Sequence, residues 1–175
     1  MKRSLALSVR DLVVFALLGA IMFYTKQIEI LPNVHPLAML TVTYTVVYRK
    51  RGIVPVAVFV FLQGVYAGFS IWWYPYLYLW PLLWAAALAL PNKISDKAAM
   101  IVYPLVCALH GLLYGTLYAP YQALVFGLDF KGMLAWIAAG FPYDVIHAAS
   151  NLVMGLLVLP LSKLITRLDA HGYKD

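Results

Sequence analysis

The chain of 175 residues contains a single cysteine, Cys107, inside the apolar run YPLVCALHGLL. One thiol excludes an intrachain disulfide, and no cluster with metal-ligand spacing surrounds it, so Cys107 reads as a small packed residue. Charge is also scarce, with charged residues at 11% of the chain. The phosphate-cradling pattern Gly-x-x-x-x-Gly-Lys-Ser/Thr is missing, and so are His-Glu-x-x-His, Cys-x-x-Cys and Gly-x-Ser-x-Gly. The chain therefore carries no Walker-type ATP site and no common metallohydrolase, redox or esterase motif. Arginine-repeat voltage sensors and a glycine-rich filter are lacking too. No inverted repeat relates the two halves, which weighs against a self-sufficient secondary transporter.

What the chain has instead is apolar length. Hydrophobic residues make up 64% and the mean hydropathy is +0.83, so a water-soluble domain would leave much of this surface wet. An integral membrane protein is expected, and five to seven spans of about 20 residues each nearly exhaust the length. Apolar runs between charged and Pro/Gly breaks predict six spans, near 11–30, 36–48, 52–69, 71–90, 98–118 and 142–161. The predicted fold is an all-α, six-transmembrane-helix bundle forming one domain over 1–175. The second span is short and rich in threonine, so neighbours must shelter it. The apolar stretch 133–161 is too long for one straight crossing. Pro142 is its expected break, with 133–141 an outer interfacial or re-entrant piece and Asp144 near the outer end of span six. The basic N-terminus is interrupted by Arg10 and Asp11 and lacks an Ala-x-Ala site, so it reads as a retained first span.

The formal charge of +6 is spread in short clusters between apolar runs, which suits topology better than nucleic acid. Alternating from a cytoplasmic start puts Lys2, Arg3, Arg10, Arg49, Lys50, Arg51, Lys93, Lys97, Lys163, Arg167 and Lys174 inside, against Lys26 and Lys131 outside. Both termini are then cytoplasmic. The outer face receives LPNVHPL, IWWYPYLY and YAPYQALVFGLDFKG.

Candidate functional residues concentrate toward that face. Asp144, His147 and Asn151 are spaced by three and four and so share one helical face. Burying Asp at the centre of a span costs roughly 2.5–3.5 kcal/mol, so the face looks into a cavity or at a partner group. Asp144 could pair with His147, cap a helix start after Pro142, or contact a ligand. Catalysis by Asp144 and His147 is a further alternative, although no nucleophile or third metal ligand is nearby. His110 and Tyr114 lie one turn apart, and Tyr118, Tyr121 and Gln122 continue outward. Trp72, Trp73, Tyr74, Tyr76, Tyr78 and Trp80 could be an interfacial belt or the wall of a pocket for a flat ligand. Asn33 and His35, in the proline-flanked loop after Glu29, could form a lid. Ala16 and Ala20 beside Gly19, Gly64 with Gly68, and Gly111 with Gly115 are small-residue pairs that permit close helix approach.

A basic-inside, six-span chain of this size, with Ala16 and Ala20 on span one and a capping outer loop, resembles the membrane-embedded S components of energy-coupling factor (ECF) transporters. These subunits capture vitamins for import into bacteria. The runs LPNVHPLAMLTVTYTVVYRKRGIVPVAVFVFLQGVYAGFSIWWYPYLYLW and ALHGLLYGTLYAPYQALVFGLDFKGMLAWIAAGFPYDVIHAASNL are most similar to Firmicute S components assigned to cobalamin uptake. The resemblance implies a non-enzymatic subunit, multi-pass in the bacterial cell membrane, with no cofactor and with cobalamin as transported ligand. It further implies a transmembrane coupling protein and two cytoplasmic ATPases as partners, docking through Ala16 and Ala20, and a toppling motion that carries the pocket inward. The expected substrate contacts are Asn33, His35, Trp72, Trp73, Tyr76, Tyr114, Tyr118, Tyr121, Gln122, Asp144, His147 and Asn151. A corrinoid, broad and rimmed with amides, would suit a wide Trp/Tyr-lined pocket, with His35 or His147 able to approach the cobalt. Pantothenate, thiamine or a nucleobase precursor are the alternative ligands within the same class.

Overall fold

The computed structural model describes residues 7–28 and 32–171. Glu29 of the first loop, and Lys2, Arg3 and Lys174 of the basic ends, lie outside the described residues. Among the described residues there are seven α-helices and no strand: α1 Val9–Gln27, α2 Leu37–Tyr48, α3 Ile53–Ala67, α4 Tyr76–Ala89, α5 Asp96–Phe126, α6 Phe130–Gly155 and α7 Val158–His171. A four-residue 3-10 turn, Arg49–Gly52, joins α2 to α3.

Local chemistry sets several of these boundaries. Ser8 caps α1 through a capping box with Asp11, Ser95 Oγ accepts the Ala98 N–H at 3.3 Å, and Asp129 accepts the Gly132 N–H at 2.7 Å. Each satisfies a backbone donor that the first helical turn leaves unpaired. Gly127, left-handed at φ 65°, ends α5, a conformation glycine adopts without steric cost.

Packing is organised around α2. At about 18 Å long by its twelve residues, it is short, and Leu37 to Thr45 are all buried. It touches every other α-helix, while α1 lies along α3 and α5 along α6 in the two most extensive pairings. The shelter that its length requires is therefore complete. Thr45 Oγ1 donates to the Thr41 carbonyl at 2.7 Å, which satisfies its hydroxyl within the helix.

Two boundaries differ from the sequence expectation. Pro142 does not break the last long run, because α6 continues through it from Phe130 to Gly155. The piece 133–141 is thus ordinary helix held against α5, where Trp136 stacks on Tyr118 at 5.9 Å, and Asp144 falls in the middle of α6 instead of near an outer end. The break comes at Gly155–Val158, where the chain bends by 47°. There a Cβ on Gly155 would meet Pro104 Cα at 2.6 Å, and Pro160, lacking an N–H, sits in the first turn of α7, where none is needed. The predicted span 71–90 also starts late. Residues 70–75 form turns, and α4 begins at Tyr76. The predicted span 98–118 lies within the longer α5.

Counting α6 and α7 as one bent rod, the chain makes six rods and brings the start of α1 to the end of α7. Arg10 pairs with Asp169 at 3.5 Å, Arg51 with Asp11 at 3.1 Å, and Lys163 with Asp96. Arg49 donates to the Leu88 and Leu90 carbonyls at 2.6 and 3.2 Å. These contacts gather the basic turns at one end of the bundle. By length and composition, Asp96–Phe126 is the one helix among the described residues able to cross a membrane alone, and the bent pair Phe130–Gly155 and Val158–Ala170 counts as a second. Large apolar side chains nonetheless face outward on most helices, among them Leu17, Phe61, Leu77, Leu109 and Val153.

Candidate binding site

The face formed by Asp144, His147 and Asn151 is buried in the bundle interior. Glycines on α5 make room for it. Asp144 Oδ1 accepts the Gly115 N–H at 3.0 Å, and its carboxylate occupies the space a Gly115 Cβ would need. Two turns further, Asn151 Nδ2 donates to the Cys107 carbonyl at 3.2 Å. Asp144 and Asn151 therefore staple α6 to α5. Of the alternatives open for Asp144, it takes neither a pairing with His147 nor a cap after Pro142.

His147 is the central member. Its ring lies 5.2 Å from those of both His35 and Tyr114 and 6.4 Å from His110, all edge-on. It is 1% exposed, yet neither ring nitrogen has a hydrogen-bond partner. Trp80, equally buried, closes the opposite side, 5.5 Å from His110 and 6.4 Å from Tyr114 and His35. Phe59 lies 5.4 Å from Trp80 at its edge.

The polar atoms in this cluster form a definite set. His110 Nε2 faces the Leu79 carbonyl at 3.2 Å, so that nitrogen carries the proton and Nδ1 is an acceptor. Also without partners are the Trp80 indole N–H, Asp144 Oδ2 and Asn151 Oδ1. An unsatisfied buried donor or acceptor costs about 1–3 kcal/mol, and such groups are rare in folded proteins. Together with the two His147 nitrogens they are the polar atoms of the cluster that no protein group satisfies. Among the described residues no group of three or more His, Cys, Asp or Glu is arranged to hold a metal ion.

An outer tier continues from the cluster. Tyr76 meets Trp80 at 6.0 Å and Trp72 at 5.6 Å, both edge-on. Tyr118 donates to the Trp72 carbonyl at 3.4 Å and lies 6.2 Å from Tyr121. Gln122 is half-buried beside Tyr121. The structure thus connects His35, Tyr76, Tyr114, Tyr118, Tyr121 and His147, with Trp72 at the rim. It separates Trp73, whose indole N–H is spent on the Val60 carbonyl at 2.8 Å and whose ring packs on Phe69. Asn33 sits in a left-handed turn at φ 65°, half-buried at the entrance to α2.

Trp80 and His110 were not singled out as contacts by the sequence, although both belong to the deep cluster. The available signal was spacing. Tyr76 and Trp80 are four apart on α4, as His110 and Tyr114 are on α5, so each pair lines one face.

The small-residue pairs divide in use. Gly19 is buried against Val58 and Pro55 of α3, while Ala16 is exposed and Ala20 half-buried. Gly111 and Gly115 admit α6, whereas Gly68 ends α3 at φ 87° and Gly64 is covered by the Phe69 ring. Comparison with known protein families, with characterised proteins and with solved structures finds no match.

Proposed function

We propose that this chain is the membrane-embedded substrate-binding subunit of an ATP-driven vitamin importer of the ECF type, a non-enzymatic S component in the bacterial cell membrane. The observation that carries the reading is the buried cluster at His147, where imidazole, indole and amide groups lie unsatisfied inside a bundle with an apolar exterior. Such a cluster suits a ligand that is flat, partly apolar and edged with donors and acceptors. The exposed apolar side chains suit a bilayer, and the basic end suits its cytoplasmic side. Ala16, exposed on α1, offers the coupling protein a surface without bulky side chains. With no nucleotide motif in the sequence, the energy comes from two partner ATPases.

Cobalamin is the ligand that the resemblance implies. A smaller vitamin or precursor of the pantothenate, thiamine or nucleobase kind is the second reading, and one observation favours it. Rings of the deep cluster stand 5.2–6.4 Å apart, in direct ring-to-ring contact, so a ligand reaches the cluster only from its rim or by displacing a ring, which a small ring system does with less rearrangement than a corrin macrocycle. The enzyme alternative gains no support here, because His147 faces the rings of His35, His110 and Tyr114 and not Asp144, and one Asp144 oxygen is held by the Gly115 N–H.

Isothermal titration of the purified chain with cyanocobalamin, pantothenate, riboflavin and thiamine tests this. Saturable one-to-one binding of any of them, lost on His147→Ala, supports the subunit and names its ligand. Failure to bind any of them, together with failure to co-purify with a coupling protein and ATPases, would sink the proposal.

A further inference from the structure

Among the buried residues of α3, Gln63 is the one polar side chain. Val56, Phe59 and Val60 share its interior face, and Gln63, one turn beyond Phe59, is 5% exposed. Its Nε2 has no hydrogen-bond partner. The neighbours on that face offer none, because their side chains are apolar and the Val60 carbonyl already accepts the Trp73 indole N–H. For folding alone glutamine is a poor choice here. Methionine or leucine would fill the same place without desolvating an amide that then makes no bond.

The position of Gln63 in the fold gives the amide a use. Helix α3 runs from the basic turn Arg49–Gly52 toward the loop that carries Trp72, so four residues put Gln63 about 6 Å nearer the rim than Phe59. Phe59 itself stacks on Tyr76 at 6.2 Å and meets Trp80 edge-on at 5.4 Å. Gln63 thus stands at the level of the outer tier, above the ring contacts that close the deep cluster, on the side from which a ligand arrives. The unpartnered atoms also divide by wall. Gln63 Nε2 on α3 and Trp80 Nε1 on α4 are donors, whereas His110 Nδ1 on α5 and Asp144 Oδ2 and Asn151 Oδ1 on α6 are acceptors. We infer that Gln63 is a further specificity-determining ligand contact, its amide N–H donating to a carbonyl oxygen or ring nitrogen at the edge of the bound vitamin and so fixing which edge faces α3. The inference rests on the binding-subunit reading above and adds a residue and the chemistry of the group it holds.

The test is isothermal titration of the full chain, unsubstituted and with Gln63→Met or Gln63→Leu, against cyanocobalamin, pantothenate, riboflavin and thiamine, beside thermal unfolding of the ligand-free proteins in detergent. Methionine keeps the unbranched shape and leucine changes it, and neither has a hydrogen to give. The vitamin that the unsubstituted chain binds should bind both variants about tenfold or more weakly, while their unfolding midpoints without ligand stay level or rise. Undiminished binding by the methionine variant overturns the contact, whatever leucine does. A midpoint that falls in both variants overturns it as well, since the amide would then be spent inside the protein. Absence of binding by the unsubstituted chain to all four vitamins overturns the binding-subunit reading itself, and the inference with it.

Discussion

Replacing Gly111 by alanine isolates the close approach on which the candidate site depends. A Cβ there would stand 2.9 Å from the His147 carbonyl carbon and from the Ala148 nitrogen, and 2.8 Å from Asn151 Nδ2. Two of these three are backbone atoms, which cannot rotate away, so reaching an ordinary contact requires α6 to retreat by about 0.5 Å or more. Overpacking of this kind costs about 1–3 kcal/mol. Against it stands a gain of about 0.8–1 kcal/mol from replacing a helical glycine with alanine. Gly140 provides the internal standard, since it lies within α6 and a Cβ there meets nothing within 4 Å. Gly140→Ala should collect the helix gain alone and raise the unfolding midpoint of the purified protein slightly. Gly111→Ala should fall below Gly140→Ala by about 1–3 kcal/mol and also weaken ligand binding, because the retreat carries His147 with it. Thermal unfolding in detergent measures the first effect and titration the second. If the two variants proved equally stable and equally competent to bind, the packing account of the site would be refuted.

His147→Phe keeps a ring in place but removes two buried nitrogens without partners. Ligand binding should weaken about tenfold or more while the ligand-free protein keeps or raises its unfolding midpoint; a collapse of stability would show His147 to be a structural residue instead. Arg49 is left-handed at φ 55° and caps the end of α4 through two carbonyls. Arg49→Ala should lose the bonds and keep the strain, whereas Arg49→Gly should lose only the bonds and be about 1 kcal/mol more stable in chemical unfolding. The opposite order would contradict the strain argument. Ala16→Trp, on an exposed position, should leave folding and ligand binding unchanged and abolish co-purification with the coupling protein; unimpaired assembly would remove Ala16 from the docking surface.

By itself the sequence determined the features that are local or periodic. The helical composition, the position of α2, the clustering of bases at alternate turns and the common face of Asp144, His147 and Asn151 all follow from apolar period, charge and spacing of three and four. Caps at Ser8, Ser95 and Asp129 are equally local, since a short polar side chain satisfies a donor three residues on.

Only the tertiary structure decided what that face meets. Spacing places Asp144 on the same side as His147, but the 3.0 Å bond to the Gly115 N–H depends on α5 presenting a residue without a Cβ at the right height. The same holds for Trp80, one of several aromatics in its stretch until α3, α5 and α2 surround it, and for Trp73, which turns to Val60 instead. Pro142 shows the limit most clearly. Proline weakens a helix locally, yet the packing of α6 on α5 holds the helix through it, and the break moves to Gly155, where two backbones come too close for any side chain. A chain carries its periods in its own order. Which faces oppose one another, and which polar atoms are left for a ligand, are properties of helices distant in sequence.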